Sequence, residues 1–180
     1  MADKDVNWFV LFARTGAEDK IVEQLKYEFG EDIYFPFVPK KTAIYRRNGV
    51  KSEFQQICFP GYVFLEADKS AEEAINDLKP VIYRQNGVYR FLHYGEKSDI
   101  VMHKKEQLKL NKLIGNERTI DISKGFKEGD KVKIVSGSLL NYEGTIKHIN
   151  TSQKQAVIEL PMFGTITSVT VGLELVEKSL

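Results

Sequence analysis

The sequence concentrates positive charge in two short stretches, and these residues are the best suited to chemistry with a charged partner. Residues 38–51 carry five lysines and arginines and no acid, and residues 100–115 carry four lysines beside a single glutamate. The net charge of the whole chain is only +1, because acids outnumber bases in residues 1–37 and 52–99. Clustered cations can bind the phosphates of a nucleic acid, although many charge runs are simply solvated faces. Nucleic-acid binding is therefore a hypothesis that the other features must decide.

Residue types and spacing give little support to enzymatic chemistry. Cys58 is the only cysteine, so no intramolecular disulfide can form, and it precedes an apolar run in which a structural thiol is expected. His93, His103 and His148 are scattered and lack the spacing of metal ligands. The sequence also contains no phosphate-binding loop and no paired acid and base. We therefore expect a protein that is not an enzyme and that binds no cofactor or metal.

Composition and hydropathy are typical of a globular protein of the cytoplasm. The 180 residues are 42% hydrophobic and 28% charged, which is enough apolar material for one large domain or two small ones. No apolar run approaches the roughly 18 residues that a membrane helix needs. The first residues are polar and acidic, unlike a signal peptide. A lone cysteine fits a reducing compartment.

The apolar run at residues 59–65 is predicted to be the central strand of the first half of the chain. It is rich in aromatic and β-branched residues and carries no charge. Because side chains alternate along a strand, Tyr62 and Phe64 are expected on one face and Val63 and Leu65 on the other. One face can then fill a core while the other presents aromatic rings.

Hydrophobic periodicity predicts the elements that surround this strand. Other strands are expected at residues 8–13, 33–37 and 87–92. Helices are expected to begin near Gly16, Ser70 and Ser98 and to end at Gly30, Pro80 and Leu113, with capping-box spacing in Thr15 with Glu18 and in Ser70 with Glu73. This order predicts an α+β fold with a mainly antiparallel sheet and flanking helices. Asn48-Gly49 indicates a β-hairpin that carries the first basic stretch.

The second half of the chain is predicted to be a small all-β barrel. Residues 115–125 are polar, begin and end with glycine and read as a linker. Short strands follow at residues 131–135, 144–149, 155–160 and 165–171, separated by turns. Regular short strands in about 55 residues are typical of a barrel of this size.

Several motifs resemble the NusG family of transcription elongation factors. They are Trp8-Phe9-Val10, Phe59-Pro60-Gly61-Tyr62-Val63-Phe64, Gly87-Val88, Phe126-Lys127-Glu128-Gly129-Asp130-Lys131-Val132, Gly137 and Tyr142-Glu143-Gly144. The resemblance covers essentially the whole chain and implies two domains in the family order. These are an N-terminal NGN domain (residues 1–114), a linker (115–125) and a C-terminal KOW barrel (126–180).

The resemblance implies a protein that rides on RNA polymerase and suppresses pausing and termination. In the family, aromatic residues of the NGN sheet receive the clamp of the largest polymerase subunit. The matching positions here are Phe12, Phe59, Tyr62 and Phe64. Four cations are then expected near the non-template DNA strand: Arg14, Arg46, Arg47 and Lys51. A monomer is expected.

The end of the barrel departs from the general NusG pattern. Phe163-Gly164 is kept, but the arginine, proline and glutamate that usually follow are replaced within residues 165–171. This puts docking of ribosomal protein S10 or of Rho at this loop in doubt. The departure resembles the specialised antitermination paralogs of the LoaP group, and that resemblance implies a KOW domain that binds a nascent RNA hairpin.

Charge indicates which residues of the second half could contact RNA. The candidates are Arg118, Lys124, Lys127, Lys131, Lys133, Lys147, His148 and Lys154. Glu128 and Asp130 flank Gly129 and weaken the patch. Two alternatives stay open: a general NusG factor whose KOW domain binds S10 or Rho, and a KOW protein that binds RNA on the ribosome.

Overall fold

The structure is a computed structural model that describes residues 6–84 and 86–176. Within these ranges the chain forms three α-helices, twelve strands and one short 3-10 helix. In chain order the elements are β1 (Asn7–Ala13), α1 (Glu18–Phe29), β2 (Phe35–Phe37), β3 (Lys40–Arg47), β4 (Val50–Ile57), β5 (Tyr62–Ala67), α2 (Ala71–Arg84), β6 (Val88–Phe91), α3 (Lys104–Ile114), β7 (Thr119–Ile120), β8 (Ser123–Glu128), β9 (Lys131–Ser136), the 3-10 helix Glu143–Thr145, β10 (Ile146–Asn150), β11 (Gln155–Met162) and β12 (Thr165–Leu175). None of the helices in these ranges is long and apolar enough to cross a membrane.

The chain forms two compact units, and each of them combines two separate segments. The first unit contains the chain up to Val38 and then Phe59–Gln107, whereas the second contains Pro39–Cys58 and the chain from Leu108 onward. The β-hairpin of β3 and β4 therefore groups with the C-terminal strands. The predicted boundaries at residues 114 and 126 concern independent folding, which is distinct from this grouping by contact, and they stay a prediction.

A four-stranded antiparallel sheet with the strand order β2-β5-β1-β6 forms the centre of the first unit. On one face of its two central strands, Phe9, Leu11, Val63 and Leu65 are all 0% exposed. Helix α1 packs against β2 and β5, and helix α2 contacts β6. The predicted α+β fold, with helices on an antiparallel sheet, is confirmed.

The register between β1 and β5 decides which aromatic residues share the other face. Phe12 lies opposite Tyr62, and Val10 lies opposite Phe64. Because directly paired residues in antiparallel strands point to the same side, Phe12, Tyr62 and Phe64 lie on one face of the sheet. The alternation predicted along residues 59–65 is therefore present.

The starts of α1 and α2 differ in how their backbone donors are satisfied. Ser70 and Glu73 form the predicted capping box, since the Ser70 amide donates to Glu73 Oε2 over 2.8 Å and the Glu73 amide donates to Ser70 Oγ over 3.2 Å. The box predicted for Thr15 is wrong, because α1 begins at Glu18 after Ala17 and has no side-chain cap. Glu18, the predicted partner of Thr15, accepts hydrogen bonds from Gly16 and Gly61 instead.

Two predicted helix boundaries are wrong for tertiary reasons. Helix α2 continues through Pro80 to Arg84, and the buried Val81 extends its apolar face beyond the proline. Proline removes one helical hydrogen bond, and packing of the following turn offsets that loss. Helix α3 begins at Lys104 instead of Ser98, because the preceding segment is tied to β1 through the Met102 amide, which donates to the Trp8 carbonyl over 2.8 Å.

The Glu18 carboxylate joins the start of α1 to the turn before β5. Glu18 is 1% exposed and accepts hydrogen bonds from the amides of Gly16 (2.6 Å) and Gly61 (2.7 Å). Gly61 has φ +84°, and a Cβ there would lie 3.1 Å from the Ala13 carbonyl oxygen. This position therefore requires glycine, both for its backbone conformation and for the close approach of β1.

The second unit contains a five-stranded sheet with the order β10-β11-β12-β8-β9 and a three-stranded sheet with the order β4-β3-β7. Register shifts in β8 and β10, and the 3-10 helix that contacts β9 and β11, curl the larger sheet. Ile134, Ile158 and Leu173 are buried in its core. The predicted small β domain is confirmed as a curled β-sheet, although its first strand is β8, before the predicted start.

Residues 115–125, which were predicted to be a linker, include strand β7 and the start of β8. Strand β7 pairs in parallel with β3, and β8 begins at Ser123. Ile120 and Ser123 are both 0% exposed. The strand partner of β7 lies far away in sequence, so its pairing leaves no local signal in a polar, glycine-bounded segment.

Glu18→Ala is expected to lower the free energy of unfolding by about 2 kcal/mol, because the buried Gly61 amide loses its acceptor. Glu18→Gln keeps one acceptor oxygen and is expected to lose less. Glu23→Ala, at an exposed position of the same helix, is the control and is expected to change stability by less than about 0.5 kcal/mol. Urea unfolding measures all three, and equal effects of Glu18→Ala and Glu23→Ala would contradict this role.

Candidate functional site

Three strands of the first unit, β1, β5 and β6, present an exposed aromatic cluster, which consists of Phe12, Tyr62, Tyr89 and Arg90. The rings of Phe12 and Tyr62 are half-buried, with centroids 6.0 Å apart in an edge-to-face arrangement. Tyr89 is 57% exposed, and its ring centroid lies 5.4 Å from that of Phe12. The Arg90 guanidinium lies 5.5 Å from the centroid of the Phe12 ring, at the distance of a cation–π contact.

Phe59 and Phe64, predicted from the resemblance as members of this interface, lie beneath it. Phe59 is 2% exposed and Phe64 is 0% exposed. The Phe64 ring stacks on Phe37 at 5.5 Å and contacts Phe59 at 5.8 Å and Trp8 at 6.2 Å. In this structure these rings build the core that supports the cluster, and only Phe12 and Tyr62 of the predicted set offer accessible surface.

Tyr89 and Arg90 are members of the cluster that sequence reasoning missed. Residues 87–92 were predicted to be a strand, but which strand it pairs with was not predicted. The structure pairs β6 with β1 and sets Arg90 opposite Phe12. The alternation of aromatic and basic residues along 87–92 was the available signal. Pairing of β6 with β1 then places these residues beside Phe12.

The cluster has the composition of a protein-binding surface. Tyrosine and arginine are enriched among the residues that contribute most to binding, and rigid rings bury a large area at low entropic cost. Arg90 over the Phe12 ring adds a cation that can pair with an acid on a partner. This arrangement is suited to binding another protein rather than to catalysis.

The predicted DNA-contacting cations are divided between the two units. Arg14 is exposed in the first unit, whereas Arg46, Arg47 and Lys51 lie on the β3–β4 hairpin of the second. The hairpin has the predicted turn, with φ 51° at Asn48 and 79° at Gly49. The two arginines are exposed at the end of the hairpin.

The predicted RNA-contacting lysines of β8 and β9 lie on different faces. In the register of β8 and β9, Lys131 lies opposite Glu128 and Lys133 lies opposite Phe126, so both lysines lie on the same face of β9. Lys127 lies opposite Val132 in the same register, so it lies on the opposite face of the sheet. Lys124, Lys127, Lys131 and Lys133 are all exposed.

The remaining members of the predicted RNA set have protein partners or lie at another sheet edge. Lys147 pairs with Glu159 at 3.5 Å, and Arg118 donates to Asn111 Oδ1 over 2.8 Å. The exposed His148 lies with Lys147 on β10, at the edge of the sheet order opposite β9. Lys154 donates to the Glu174 carboxylate.

Glu174 brings together lysines from both predicted nucleic-acid sets. Lys154 hydrogen-bonds to its carboxylate, and Lys51 Nζ lies 3.7 Å from the same carboxylate. The hydrogen bond from Lys154, with the charges of Lys154, Lys51 and Lys124, lowers the pKa of Glu174. The structure therefore joins the β-hairpin to the turn before β11 through one acid.

The structure gives no support to catalysis by Cys58. The side chain is 5% exposed, and burial raises the pKa of its thiol to about 12, although the charge of Lys41 opposes this shift. Among the residues that the structure describes, no three His, Cys, Asp or Glu side chains are grouped so that they could hold a metal ion.

Comparison with known proteins relates this arrangement to a family. Residues 6–111 match the family model described as "Transcription termination factor nusG". The chain belongs to the NusG family. The protein is thus a transcription termination/antitermination factor of the NusG type, in a family whose characterised relatives are transcription factors.

Individual NusG relatives align along nearly the whole chain. The transcription termination/antitermination protein NusG of Thermus thermophilus is 27% identical over 185 residues, covering 97% of this chain and 99% of the relative. That of Streptococcus pyogenes is 28% identical over 176 residues, covering 94% of each. A solved chain described as "Domain interaction in Thermotoga maritima NusG" has a TM-score of 0.50 at 23% identity, covering 93% of this chain and 94% of that one, and shows the shared fold.

Iodoacetamide is expected to react with native Cys58 very slowly. A thiol with a pKa of about 12 is ionised in only about one molecule in ten thousand at roughly pH 8. Unfolding in urea removes the burial, so the rate per thiol is expected to rise by orders of magnitude. Mass spectrometry of the alkylated protein measures both rates, and equal rates would refute the buried position.

Proposed function

We propose that this NusG protein binds RNA polymerase through the exposed aromatic cluster, that it suppresses pausing and termination, and that its second unit binds a nascent RNA hairpin. The observation that carries the proposal is the cluster itself, in which the rings of Tyr62 and Tyr89 and the guanidinium of Arg90 all lie beside the Phe12 ring. In vitro transcription with purified RNA polymerase tests the proposal, with read-through of pause sites and terminators as the readout.

Support for the polymerase contact comes from the position of Phe12 and Tyr62. The resemblance assigns these residues to the clamp of the largest polymerase subunit, and both keep accessible surface above a rigid aromatic core. An interface anchor needs this combination, because a ring that is already held in place loses little entropy on binding. Tyr89 and Arg90 extend the same surface.

Support for RNA binding comes from the second unit. Lys131 and Lys133 share an exposed face of β9. Phe163 of the β11–β12 turn is 7% exposed, which gives the Phe163-Gly164 pair a structural reason to be kept. The residues after it depart from the general pattern in the manner of the LoaP group. Proteins recognise a folded RNA through its shape and the positions of its phosphates, and separated lysines can contact separate phosphates.

The resemblance also assigns four cations to a contact with non-template DNA. These cations lie in different units. Arg14 lies in the same unit as the aromatic cluster and keeps that role in the proposal. Arg46, Arg47 and Lys51 lie in the other unit. The proposed protein acts as a monomer in the cytoplasm, on the transcribing polymerase.

A second candidate is a general NusG factor whose C-terminal unit binds ribosomal protein S10 or Rho. The observation that favours it is exposed apolar surface on this unit, since Ile166 is 65% exposed and Val135 is 50% exposed. Crosslinking of RNA in cells separates the two candidates, because the general factor is expected to recover no defined RNA.

Tyr62→Ala is expected to weaken polymerase binding by about 2 kcal/mol while leaving the fold intact, because a half-exposed anchor ring is lost. Tyr27→Ala is the matched control, since Tyr27 is 93% exposed on α1. Binding to purified RNA polymerase and thermal unfolding are measured for both variants. Wild-type affinity of Tyr62→Ala, or loss of its fold, would place Tyr62 outside the interface.

Lys131→Ala plus Lys133→Ala is expected to weaken RNA binding and to reduce the slope of log affinity against log salt by about two, if each lysine neutralises one phosphate. The full chain is titrated with an RNA hairpin that it enriches from a library of randomised stem-loops. Lys105→Ala plus Lys112→Ala, at exposed positions of α3, is the control of equal charge. An unchanged slope and affinity in the first variant would rule out this face.

A further inference from the structure

The β-hairpin of β3 and β4 is positioned by the strands of the second unit. Strand β3 pairs in parallel with β7 and contacts β12. Lys41 Nζ donates to the Thr170 carbonyl over 2.7 Å, and Thr42 Oγ1 donates to Asp121 Oδ1 over 3.3 Å. These bonds hold the base of the hairpin, whereas its turn at Asn48 projects beyond them. The cations near the turn therefore have a defined place beside the C-terminal strands.

The hairpin and the RNA-binding lysines meet at Glu174. Its side chain is 18% exposed and pairs with Lys51 of the hairpin and with Lys154 of the turn before β11. Lys124 at the start of β8 is close enough to contribute to the lowered pKa of the same carboxylate. Positive groups from three separate chain segments thus converge on one acid, which sets their spacing.

The pairs at Glu174 can be exchanged for phosphate at small cost. The side chains of Lys51 and Lys154 are 39% and 35% exposed, so solvent screens both pairs. Ion pairs of this exposure contribute little net stability, because the Coulomb gain is offset by the loss of hydration and side-chain entropy. A phosphate oxygen that bound either lysine in place of the carboxylate would therefore cost the fold little stability.

Arg46 and Arg47 supply exposed positive charge near the turn of the β-hairpin. Both are exposed, and among the residues that the structure describes neither forms an ion pair. Arg46 lies opposite Lys51, and Arg47 lies opposite Val50, so the two guanidinium groups start from opposite faces of the hairpin. Guanidinium groups bind phosphate with two parallel hydrogen bonds, which makes this pair suited to a nucleic-acid backbone.

We propose that the RNA-binding surface of the second unit extends onto the β-hairpin, where Arg46 and Arg47 contact phosphates of the same RNA hairpin that Lys131 and Lys133 bind. This inference rests on the RNA binding proposed above and moves the two arginines from a DNA contact to an RNA contact. The reason is their unit, because their β-hairpin contacts β12 and pairs through Lys51 with Glu174, which also binds Lys154 of the predicted RNA set, whereas Arg14 lies in the other unit. The surface then includes residues that precede the C-terminal half of the sequence.

The test measures binding by the full chain with Arg46→Ala plus Arg47→Ala. The probes are the RNA hairpin enriched by the wild-type chain from the randomised library and a single-stranded DNA of the same sequence. The double variant is expected to bind the RNA about tenfold or more weakly, with a salt slope lower by about two. Arg46→Gln plus Arg47→Gln is measured beside it, so that one folded variant is available. Circular dichroism reports the fold of both.

Lys79→Ala plus Lys97→Ala removes the same charge from exposed positions of the first unit and is expected to keep wild-type affinity. If the wild-type chain enriches no RNA, the proposed RNA binding itself fails. If it binds RNA and the arginine variants bind with the same affinity and slope, the extension onto the β-hairpin is overturned. Loss of DNA binding alone would return the arginines to a DNA contact. An equal loss in the Lys79 and Lys97 variant would reduce the effect to net charge and overturn the proposal as well.

Discussion

The first unit depends on the close approach of β1 to the turn that begins β5. The Ala13 amide donates to the Gly61 carbonyl over 2.7 Å, and the Gly61 amide donates to the buried Glu18 carboxylate over 2.7 Å. Only glycine fits there, because its φ is +84° and a Cβ would press against the Ala13 carbonyl. A backbone contact and a buried acid together set the register of the sheet, so every aromatic position on β1 and β5 follows from them.

This register separates aromatic residues with similar sequence surroundings into two roles. Phe64 lies opposite Val10, deep in the sheet, and its ring is enclosed by Trp8 and Phe37. Tyr62 lies two residues nearer the strand end, opposite Phe12, where the ring stays accessible. The buried rings make the support rigid, and the accessible rings can then bind a partner without first being ordered. The buried rings and the accessible rings therefore lie at two ends of one continuous aromatic face.

The second unit shows how weak polar contacts can position a charged surface. Its β-hairpin is held by the parallel pairing of β3 with β7 and by side-chain hydrogen bonds of Lys41 and Thr42. Around Glu174, each exposed ion pair contributes little stability, yet the pairs fix where Lys51 and Lys154 lie. These contacts therefore order the charged surface at little cost to stability. The apolar core of the sheet supplies the stability of the unit, and the exposed polar contacts set the positions of its charges.

The sequence by itself determined the elements whose signals are local. Alternation predicted the strand at 59–65, Asn48-Gly49 predicted the β-hairpin, Ser70 with Glu73 predicted a capping box, and linked motifs predicted the NusG family. Only the tertiary structure decided that Glu18 would bond Gly61, that Tyr89 and Arg90 would join Phe12, and that β7 would pair with β3. Each of these depends on which distant segments meet. Local propensity acts over a few neighbouring residues, whereas strand partners and buried polar contacts are selected by the packing of the whole unit.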